Sequence, residues 1–346
     1  MIIMAGFNEK EFEKIFSEMV EADKFSGVVL VAKEDDIVFE KAYGYAEKNF
    51  EVRNQLNTKF NIGSLNKLIT KIAILQLLQK EKLVLDDLVG KHLPEFPKEI
   101  ATKVRIEHLI SFTSGMGDYF NEKFPTGNGN LRTLDDFVPF FIDDPLLFEP
   151  GEKMEYSNAG YVVLGKIIEA VSGMDYYEYV RKNIYEPAGM SDSGHFEIDA
   201  IVPKLATGYT RHMPDCSIHP TKRRANYFII GSRGSSAGGG QSTVYDLLMF
   251  DRAITNEILL DKEHSARVFV PLDAKPGATP RVVGLAGGAP GLIALYLKFN
   301  ITGHTVFVLS NYDPEDVEPV AKAITDMFYP ESERGQVAKM RANDEE

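Results

Sequence analysis

The chain has 346 residues, of which 44% are hydrophobic and 26% charged, and its formal net charge is −13. Nucleic-acid binding requires a basic surface, and anionic membranes repel an acidic one, so both kinds of partner are excluded. The single cysteine, Cys216, allows no internal disulfide. The sequence shows neither a signal-peptide pattern nor a run of about 18 apolar residues that could cross a membrane. We therefore expect a cytoplasmic protein.

The first eighty residues predict a helix, a hairpin and a buried helix. Apolar residues such as Phe12 and Phe16 recur every three or four positions, which indicates an amphipathic helix over residues 7–22. Two β-branched runs flank the polar residues 33–36, a pattern typical of a β-hairpin. Residues 64–80 are apolar on nearly every side, so we expect that helix at the centre of a domain.

The rest of the chain divides into a helical middle and a β-rich end. Helical pieces are predicted at 134–142, 159–172 and 175–184, between loops rich in Gly, Pro and Asp. Residues 291–300 and 304–312 are β-rich runs, a helix follows them, and the polar tail 331–346 is expected to fray. Strands at both ends predict an α+β fold, in which an antiparallel sheet flanked by helices is built from residues 1–85 and 231–346. Residues 86–230 would form a mostly helical inserted domain.

The chemistry centres on Ser64 and Lys67, the one S-x-x-K in the chain. Positions i and i+3 share a helix face, so the amine of Lys67 can reach the Ser64 hydroxyl. A buried lysine loses its proton easily enough to act as the base that a serine nucleophile needs. The helix N-terminus would also favour a developing oxyanion. The alternative is that Ser64 caps the helix and Lys67 is solvated.

A second element is Tyr156-Ser157-Asn158, which stands just before an apolar helix. A phenol beside a buried lysine can relay the proton of the nucleophile to the leaving group, and the amide of Asn158 can orient the lysine or a substrate carbonyl. Tyr119-Phe120-Asn121 is a second Y-x-N, but the Pro-Gly turn before Tyr156 favours the later tripeptide.

A third element is the glycine-rich segment 284–291. Its glycines would let a substrate approach the backbone closely, and a free N–H there could be a second oxyanion donor. An ordinary glycine-rich turn is the alternative.

In this order, the three elements resemble the serine β-lactamases and penicillin-binding-protein-like hydrolases. The likeness extends over roughly residues 25–320 and is strongest to the branch of class C β-lactamases, D-Ala-D-Ala carboxypeptidases and family VIII carboxylesterases. The resemblance implies an acyl-enzyme on Ser64, with Lys67 as base or proton shuttle and Tyr156 as general base and acid. It implies an oxyanion hole of the backbone N–H groups of Ser64 and Gly288, and no cofactor or metal. Substrate contacts would come from Asn158, Tyr119, Leu285 and Gly287.

Leu285 departs from the family pattern. Relatives commonly carry Lys, His or Trp at this position, where a cation would hold the carboxylate of a penicillin or a D-Ala terminus. Leucine cannot do so. We therefore expect an esterase or amidase of small neutral substrates. The alternatives are a D-amino-acid peptidase or weak β-lactamase, and a catalytically weak member that only binds ligand. The sequence does not indicate the oligomeric state.

Two competing patterns occur in the last third and in the middle of the chain. Residues 234–238 form a literal G-x-S-x-G around Ser236, the nucleophile pattern of α/β hydrolases. No helix begins directly after it, and no parallel strand–helix alternation precedes it, which argues against that fold. His212, Cys216 and His219 could suggest zinc, but their spacing fits no common site, so we interpret them as a polar loop.

Overall fold

The structure is a computed structural model that describes residues 7–124, 130–227, 232–272, 274–275 and 278–328. The strands are β1 Gly27–Lys33, β2 Asp36–Tyr43, β3 Tyr45–Glu47, β4 Val52–Arg53, β5 Phe60–Asn61, β6 Tyr209–Thr210, β7 Arg224–Ala225, β8 Gln241–Ser242, β9 Val282–Ala289, β10 Leu292–Phe299 and β11 His304–Ser310. The helices are α1 Glu9–Glu21, α2 Asn66–Gln79, α3 Val89–His92, α4 Lys98–Lys103, α5 Ile106–Ile110, α6 Asn158–Ser172, α7 Tyr176–Val180, α8 Glu186–Ala188, α9 Val244–Thr255, α10 Lys262–Ser265 and α11 Pro314–Phe328. The expected frayed tail, 331–346, lies outside the described residues.

Five strands form the main sheet in the order β2-β1-β11-β10-β9, and every neighbouring pair is antiparallel. The two central strands come from opposite ends of the chain, with Val28 of β1 opposite Leu309 of β11. The predicted α+β class with an antiparallel sheet is therefore confirmed.

Each face of the sheet is covered by helices because its inner strands β1, β10 and β11 are apolar on both sides. Val28 and Leu30 face the larger core, which also holds α2, α6 and α9. Val29 and Val31 face the second core, which contains buried residues of α1 and α11. This alternation follows from the period of two along a strand, and near-continuous apolar runs are what a doubly covered sheet requires.

Helix α2 lies at the centre of the larger core, as its apolar pattern predicts. Eleven of its fourteen residues are buried, including the polar residues Asn66, Lys67 and Thr70 near its N-terminus. Its neighbours include α6, whose residues 159–165 are all buried. A buried polar side chain needs hydrogen-bond partners, so this end of α2 has to be matched by polar groups of other segments.

Three local predictions need correction. Residues 134–142 contain two short 3₁₀ turns, Leu134–Asp136 and Val138–Phe140, since Pro139 interrupts an α-helical hydrogen-bond ladder. The helix predicted at 175–184 is α-helical only to Val180 and continues as a π turn. The glycine-rich segment 284–291 is neither a loop nor a turn for most of its length, because residues 282–289 form the edge strand β9.

The boundaries of the inserted domain stay a prediction. The larger core runs without interruption through helices of residues 86–230 and of the flanking segments, so packing does not mark the boundaries. Among the described residues, no helix is both long and apolar enough to span a membrane.

Candidate active site

Ser64 stands in a single 3₁₀ turn, Gly63–Leu65, that leads directly into α2. The turn passes against the edge strand β9. A side-chain Cβ on Gly287 would lie 2.1 Å from the Ile62 carbonyl oxygen and 2.6 Å from the Ser64 nitrogen. A Cβ on Gly63, whose φ is +51°, would lie 2.8 Å from the Gly287 carbonyl carbon. Glycine at both positions is therefore needed to bring the backbone of β9 against the backbone of Ser64.

Lys67, the second residue of α2, is buried, with 6% of its surface exposed. Its Nζ lies 3.2 Å from Ser64 Oγ and 2.6 Å from Asn158 Oδ1, and it donates to the Ala237 carbonyl oxygen. Burial lowers the pKa of Lys67 to about 7, although the negative charge of Asp118 opposes that shift. A large fraction of Lys67 is therefore neutral at physiological pH, so its amine can accept a proton.

Tyr156 completes the contacts of the Ser64 hydroxyl. The Tyr156 hydroxyl lies 2.8 Å from Ser64 Oγ, and the Lys67 amine lies 4.7 Å from the centroid of the phenol ring. The ring stacks on Phe112 with a centroid distance of 4.9 Å. Burial raises the pKa of Tyr156, while the hydrogen bond with Ser64 opposes the rise. At neutral pH Tyr156 is therefore a protonated phenol that can donate to Ser64 or to a leaving group.

Asn158 is the first residue of α6 and donates two hydrogen bonds to the carboxylate of Asp118. The Asn158 side-chain amide donates to Asp118 Oδ2 at 2.7 Å, and its backbone N–H donates to the same oxygen at 3.3 Å. Ser157 caps α6 by accepting from the Gly160 N–H and donates to the Gly117 carbonyl oxygen. These bonds tie the start of α6 to the loop 117–118.

The loop 235–238 supplies the remaining polar partners at the N-terminal end of α2. The carbonyl oxygen of Ser235 accepts from Asn66 at 2.8 Å, and that of Ser236 accepts from Thr70 at 2.7 Å. The carbonyl oxygen of Ala237 accepts from Lys67. Three successive carbonyl groups thus accept from the three polar side chains that are buried near the N-terminus of α2.

Ser64 and Tyr156 open onto a cleft of about 1290 Å³. One wall is aromatic. Tyr119 and Phe120 lie 4.5 Å apart between ring centroids, and the cluster continues through Phe124 and Phe137. Residues 288–292, which include the turn between β9 and β10, also line the cleft. Pockets that bind small molecules are likewise lined mainly by apolar and aromatic side chains around a few polar groups.

Comparison with known proteins agrees with this arrangement. The Beta-lactamase family model matches residues 12–326. The chain belongs to the Beta-lactamase family. It is 29% identical over 332 residues to penicillin-binding protein 4* of Bacillus subtilis, a match that covers 89% of this chain and 73% of the relative. The predicted resemblance to β-lactamases and penicillin-binding proteins is therefore confirmed.

Two solved structures show how closely this Beta-lactamase family member keeps the fold. A penicillin-binding protein from Bacillus halodurans superposes with a TM-score of 0.79 at 29% identity, covering 92% of this chain and 99% of that one. A D-amino acid amidase from Ochrobactrum anthropi SV3 superposes with a TM-score of 0.75 at 23% identity, covering 92% and 99%. The fold is that of the penicillin-binding-protein-like serine hydrolases.

The competing patterns have other places in this family member. Ser236 is wholly buried, and its Oγ lies 2.3 Å from where a Cβ on Gly165 of α6 would stand. Its hydroxyl therefore packs against a helix away from the cleft. His219 Nδ1 accepts from the backbone N–H groups of Thr221 and Lys222. Of the described residues, the ligand atoms of His212, Cys216 and His219 do not come together in one cluster.

The predicted substrate contacts divide into two groups. Asn158 and Tyr119 line the cleft beside Ser64, as does the predicted oxyanion donor Gly288. Leu285 instead packs against the larger core, and neither Leu285 nor Gly287 is among the residues that line the cleft. We therefore revise the expectation that Leu285 contacts substrate. Its alternation with Gly284 and Ala286 along β9 turns it toward the core face.

Asp118 and the carbonyl group of Ala237 are the parts of the site that motif reasoning missed. Asp118 lies 40 positions before Asn158, and Ala237 lies 170 positions after Lys67. A signal for the second was available in the sequence, because Asn66, Lys67 and Thr70 are polar residues on an otherwise apolar helix and need acceptors from elsewhere.

Proposed function

We propose that this chain hydrolyses small neutral esters or amides, without a metal, through an acyl-enzyme on Ser64. The observation that carries the proposal is the position of Lys67: buried, with a pKa near 7, and 3.2 Å from the Ser64 hydroxyl. A serine becomes nucleophilic when a neutral base stands within hydrogen-bond reach. The intact contact with Tyr156 at 2.8 Å supplies a second group that can move the same proton.

In the proposed reaction, Ser64 Oγ transfers its proton to the neutral Lys67 amine as it attacks the substrate carbonyl carbon. The carbonyl oxygen becomes an oxyanion, which the backbone N–H groups of Ser64 and Gly288 would stabilise. Tyr156 donates a proton to the leaving group as its bond breaks and is reprotonated from Lys67. Water then attacks the acyl carbon and gives a proton to Lys67 or Tyr156, which passes it to Ser64 Oγ as the acyl–oxygen bond breaks, so that the carboxylic acid leaves and the Ser64 hydroxyl is restored.

The preference for a neutral substrate rests on position 285 and on the aromatic wall of the cleft. Position 285 is leucine and faces the core, so it offers no cation to a substrate carboxylate. The aromatic wall formed by Tyr119, Phe120, Phe124 and Phe137 favours an apolar group on the substrate.

D-Amino-acid amides and peptides are a second candidate substrate class. The structural similarity to a D-amino acid amidase supports it at the level of fold, and an aromatic wall would suit the side chain of an aromatic residue. A chain that only binds ligand is a third candidate, but a purely binding site has no need of a lysine with a lowered pKa beside a serine.

A substrate panel tests the proposal. Hydrolysis of p-nitrophenyl butyrate, of D- and L-phenylalanine amides and of nitrocefin is measured with the wild-type chain, Ser64→Ala and the matched control Ser236→Ala. We expect turnover of the ester, its loss in Ser64→Ala and its retention in Ser236→Ala. Full turnover by Ser64→Ala would contradict the mechanism. Faster turnover of the D-amide than of the ester would favour the second substrate class.

A further inference from the structure

We propose that Asp118 is a positioning residue that fixes the orientation of the Asn158 amide and thereby directs the lone pair of Lys67 at Ser64. The inference rests on the proposed acylation of Ser64 and adds to it a residue outside the lining of the cleft. Four groups carry it: the Asp118 carboxylate, the Asn158 amide, the Ala237 carbonyl group and the Lys67 amine.

Asp118 determines the orientation of the Asn158 amide. Asp118 Oδ2 lies 2.7 Å from Asn158 Nδ2. An ionised carboxylate only accepts hydrogen bonds, so the NH₂ side of the amide has to face it. The amide oxygen of Asn158 is consequently turned to Lys67, at 2.6 Å. Asp118 thus excludes the flipped orientation, in which NH₂ would point at the lysine.

The orientation of Asn158 in turn determines how the N–H bonds and the lone pair of Lys67 are used. A neutral amine has two N–H bonds and one lone pair. The oxygens of Asn158 and Ala237 accept from this nitrogen and can take up both N–H bonds. With both N–H bonds used in this way, the lone pair is left for Ser64 Oγ, which lies 3.2 Å from the nitrogen. The lone pair therefore points at the proton that has to be removed. A flipped Asn158 would donate to that lone pair and compete with Ser64.

The negative charge of Asp118 also affects the pKa of Lys67. The ionisable groups that face Lys67 are the ring of Tyr156 at 4.7 Å, the ring of Tyr161 at 5.5 Å and the carboxylate of Asp118 behind Asn158. Burial raises the pKa of both tyrosines, so both are neutral near pH 7. The Asp118 charge raises the pKa of Lys67 against the effect of burial. Removing that charge should let the amine lose its proton at lower pH.

Asp118 also has a local role, which makes one substitution especially informative. Its Oδ1 accepts from the Phe120 N–H at 3.0 Å and so supports the turn that begins the aromatic wall. In Asp118→Asn, the amide oxygen can keep this bond, and the new NH₂ group then faces Asn158. Two NH₂ groups cannot bond to each other, so Asn158 should flip while the turn is preserved.

The experiment measures the rate of fluorophosphonate labelling of Ser64 from pH 5 to 9 in wild type and in Asp118→Asn. Asp144→Asn is the matched control, because Asp144 pairs with Lys123 and accepts from Asn121 in the same region. The titration of Lys67 is followed in parallel by NMR of ¹³Cε-labelled lysine, which does not depend on acylation.

We expect Asp118→Asn to lower the plateau rate on the order of tenfold and to shift the acid limb and the Lys67 titration down by about one pH unit. Asp144→Asn should change neither. The inference is overturned if Lys67 titrates at the wild-type pH in Asp118→Asn. It is also overturned if the labelling rate falls while the acid limb stays at the wild-type pH, since damage to the turn alone would lower the rate without shifting the limb. A wild-type chain that forms no adduct on Ser64 overturns the proposed function instead, and the NMR titration distinguishes the two failures.

Discussion

Two lysines of α2, the buried Lys67 and the partly buried Lys71, stand one turn apart, and both have a lowered pKa. Burial lowers the pKa of Lys67 to about 7 and that of Lys71 to about 8. Both donate to backbone carbonyl oxygens, Lys67 to that of Ala237 and Lys71 to those of Val268 and Val270 at 3.0 and 3.1 Å.

The difference between them lies in their other neighbours. The Lys67 amine also contacts the hydroxyl of Ser64 and the amide of Asn158, at the edge of the cleft. Lys71 holds the segment after α10 to the core and has no nucleophile beside it among its described partners. A lowered pKa therefore results from burial alone, and chemistry requires in addition a serine, a phenol and an opening to substrate. Variants of the two lysines can therefore separate the effect of burial, which both share, from the chemistry that only Lys67 can perform.

The largest expected effect is the loss of activity when Lys67 is replaced by methionine, and Lys71→Met is its control. Lys67→Met removes the base and should lower kcat/KM for an ester by about 10³-fold. Lys71→Met has the same change of volume and charge one turn away and should stay within about twofold of wild type. Steady-state kinetics on p-nitrophenyl butyrate measure both. Equal losses in the two variants would mean that the effect is structural.

Tyr156→Phe should have the next largest effect, a fall in kcat of about 10²-fold with KM nearly unchanged. The stacking of the ring on Phe112 is retained in this variant, and only the hydroxyl that contacts Ser64 is lost. Tyr161→Phe is the control, because the Tyr161 hydroxyl donates to the Ile110 carbonyl oxygen away from Ser64. If kcat of Tyr156→Phe matched wild type, the proton relay would be wrong.

The pH dependence follows from the sign of the Lys67 shift. The active form of Lys67 is neutral, and its pKa is about 7, so kcat/KM should rise through pH 7 and level off near pH 8. Below pH 6 the rate should fall about tenfold per pH unit, since only one proton has to be lost. Lys71→Met should keep this limb. A limb displaced to pH 9 would show that Lys67 is not held neutral by burial.

The smallest expected effect concerns stability, which the two lysines should share. Each amine has a pKa in the folded chain below its value in the unfolded chain, so the unfolded chain binds more protons between about pH 7 and 10.5. Burial of the lysines therefore lowers the free energy of unfolding most below that pH range. Lys67→Met and Lys71→Met should each raise the free energy of unfolding by about 1–2 kcal/mol at pH 7, and less at pH 10. Thermal melts at the two pH values measure this. A gain confined to Lys67→Met would separate the environments that we treat as alike.

Ser64, Lys67 and Tyr156 could be identified from the sequence, because each belongs to a short motif beside a helix with a clear apolar pattern. Ser64 and Lys67 share a helix face by spacing alone, and the all-round apolar pattern of α2 predicted burial of the lysine. The strand β9 was missed because its glycines conceal the alternation that marks a strand. The role of Asp118 and the inward turn of Leu285 depend on which segments pack together, and periodicity does not specify such contacts.

The most direct test of the account is the site of covalent trapping. The chain is treated with a fluorophosphonate at pH 8, its intact mass is measured, and the modified peptide is mapped in wild type, Ser64→Ala and Ser236→Ala. We expect one adduct per chain on the peptide that contains Ser64, absent in Ser64→Ala and unchanged in Ser236→Ala. An adduct on Ser236, or one that persists in Ser64→Ala, would contradict it.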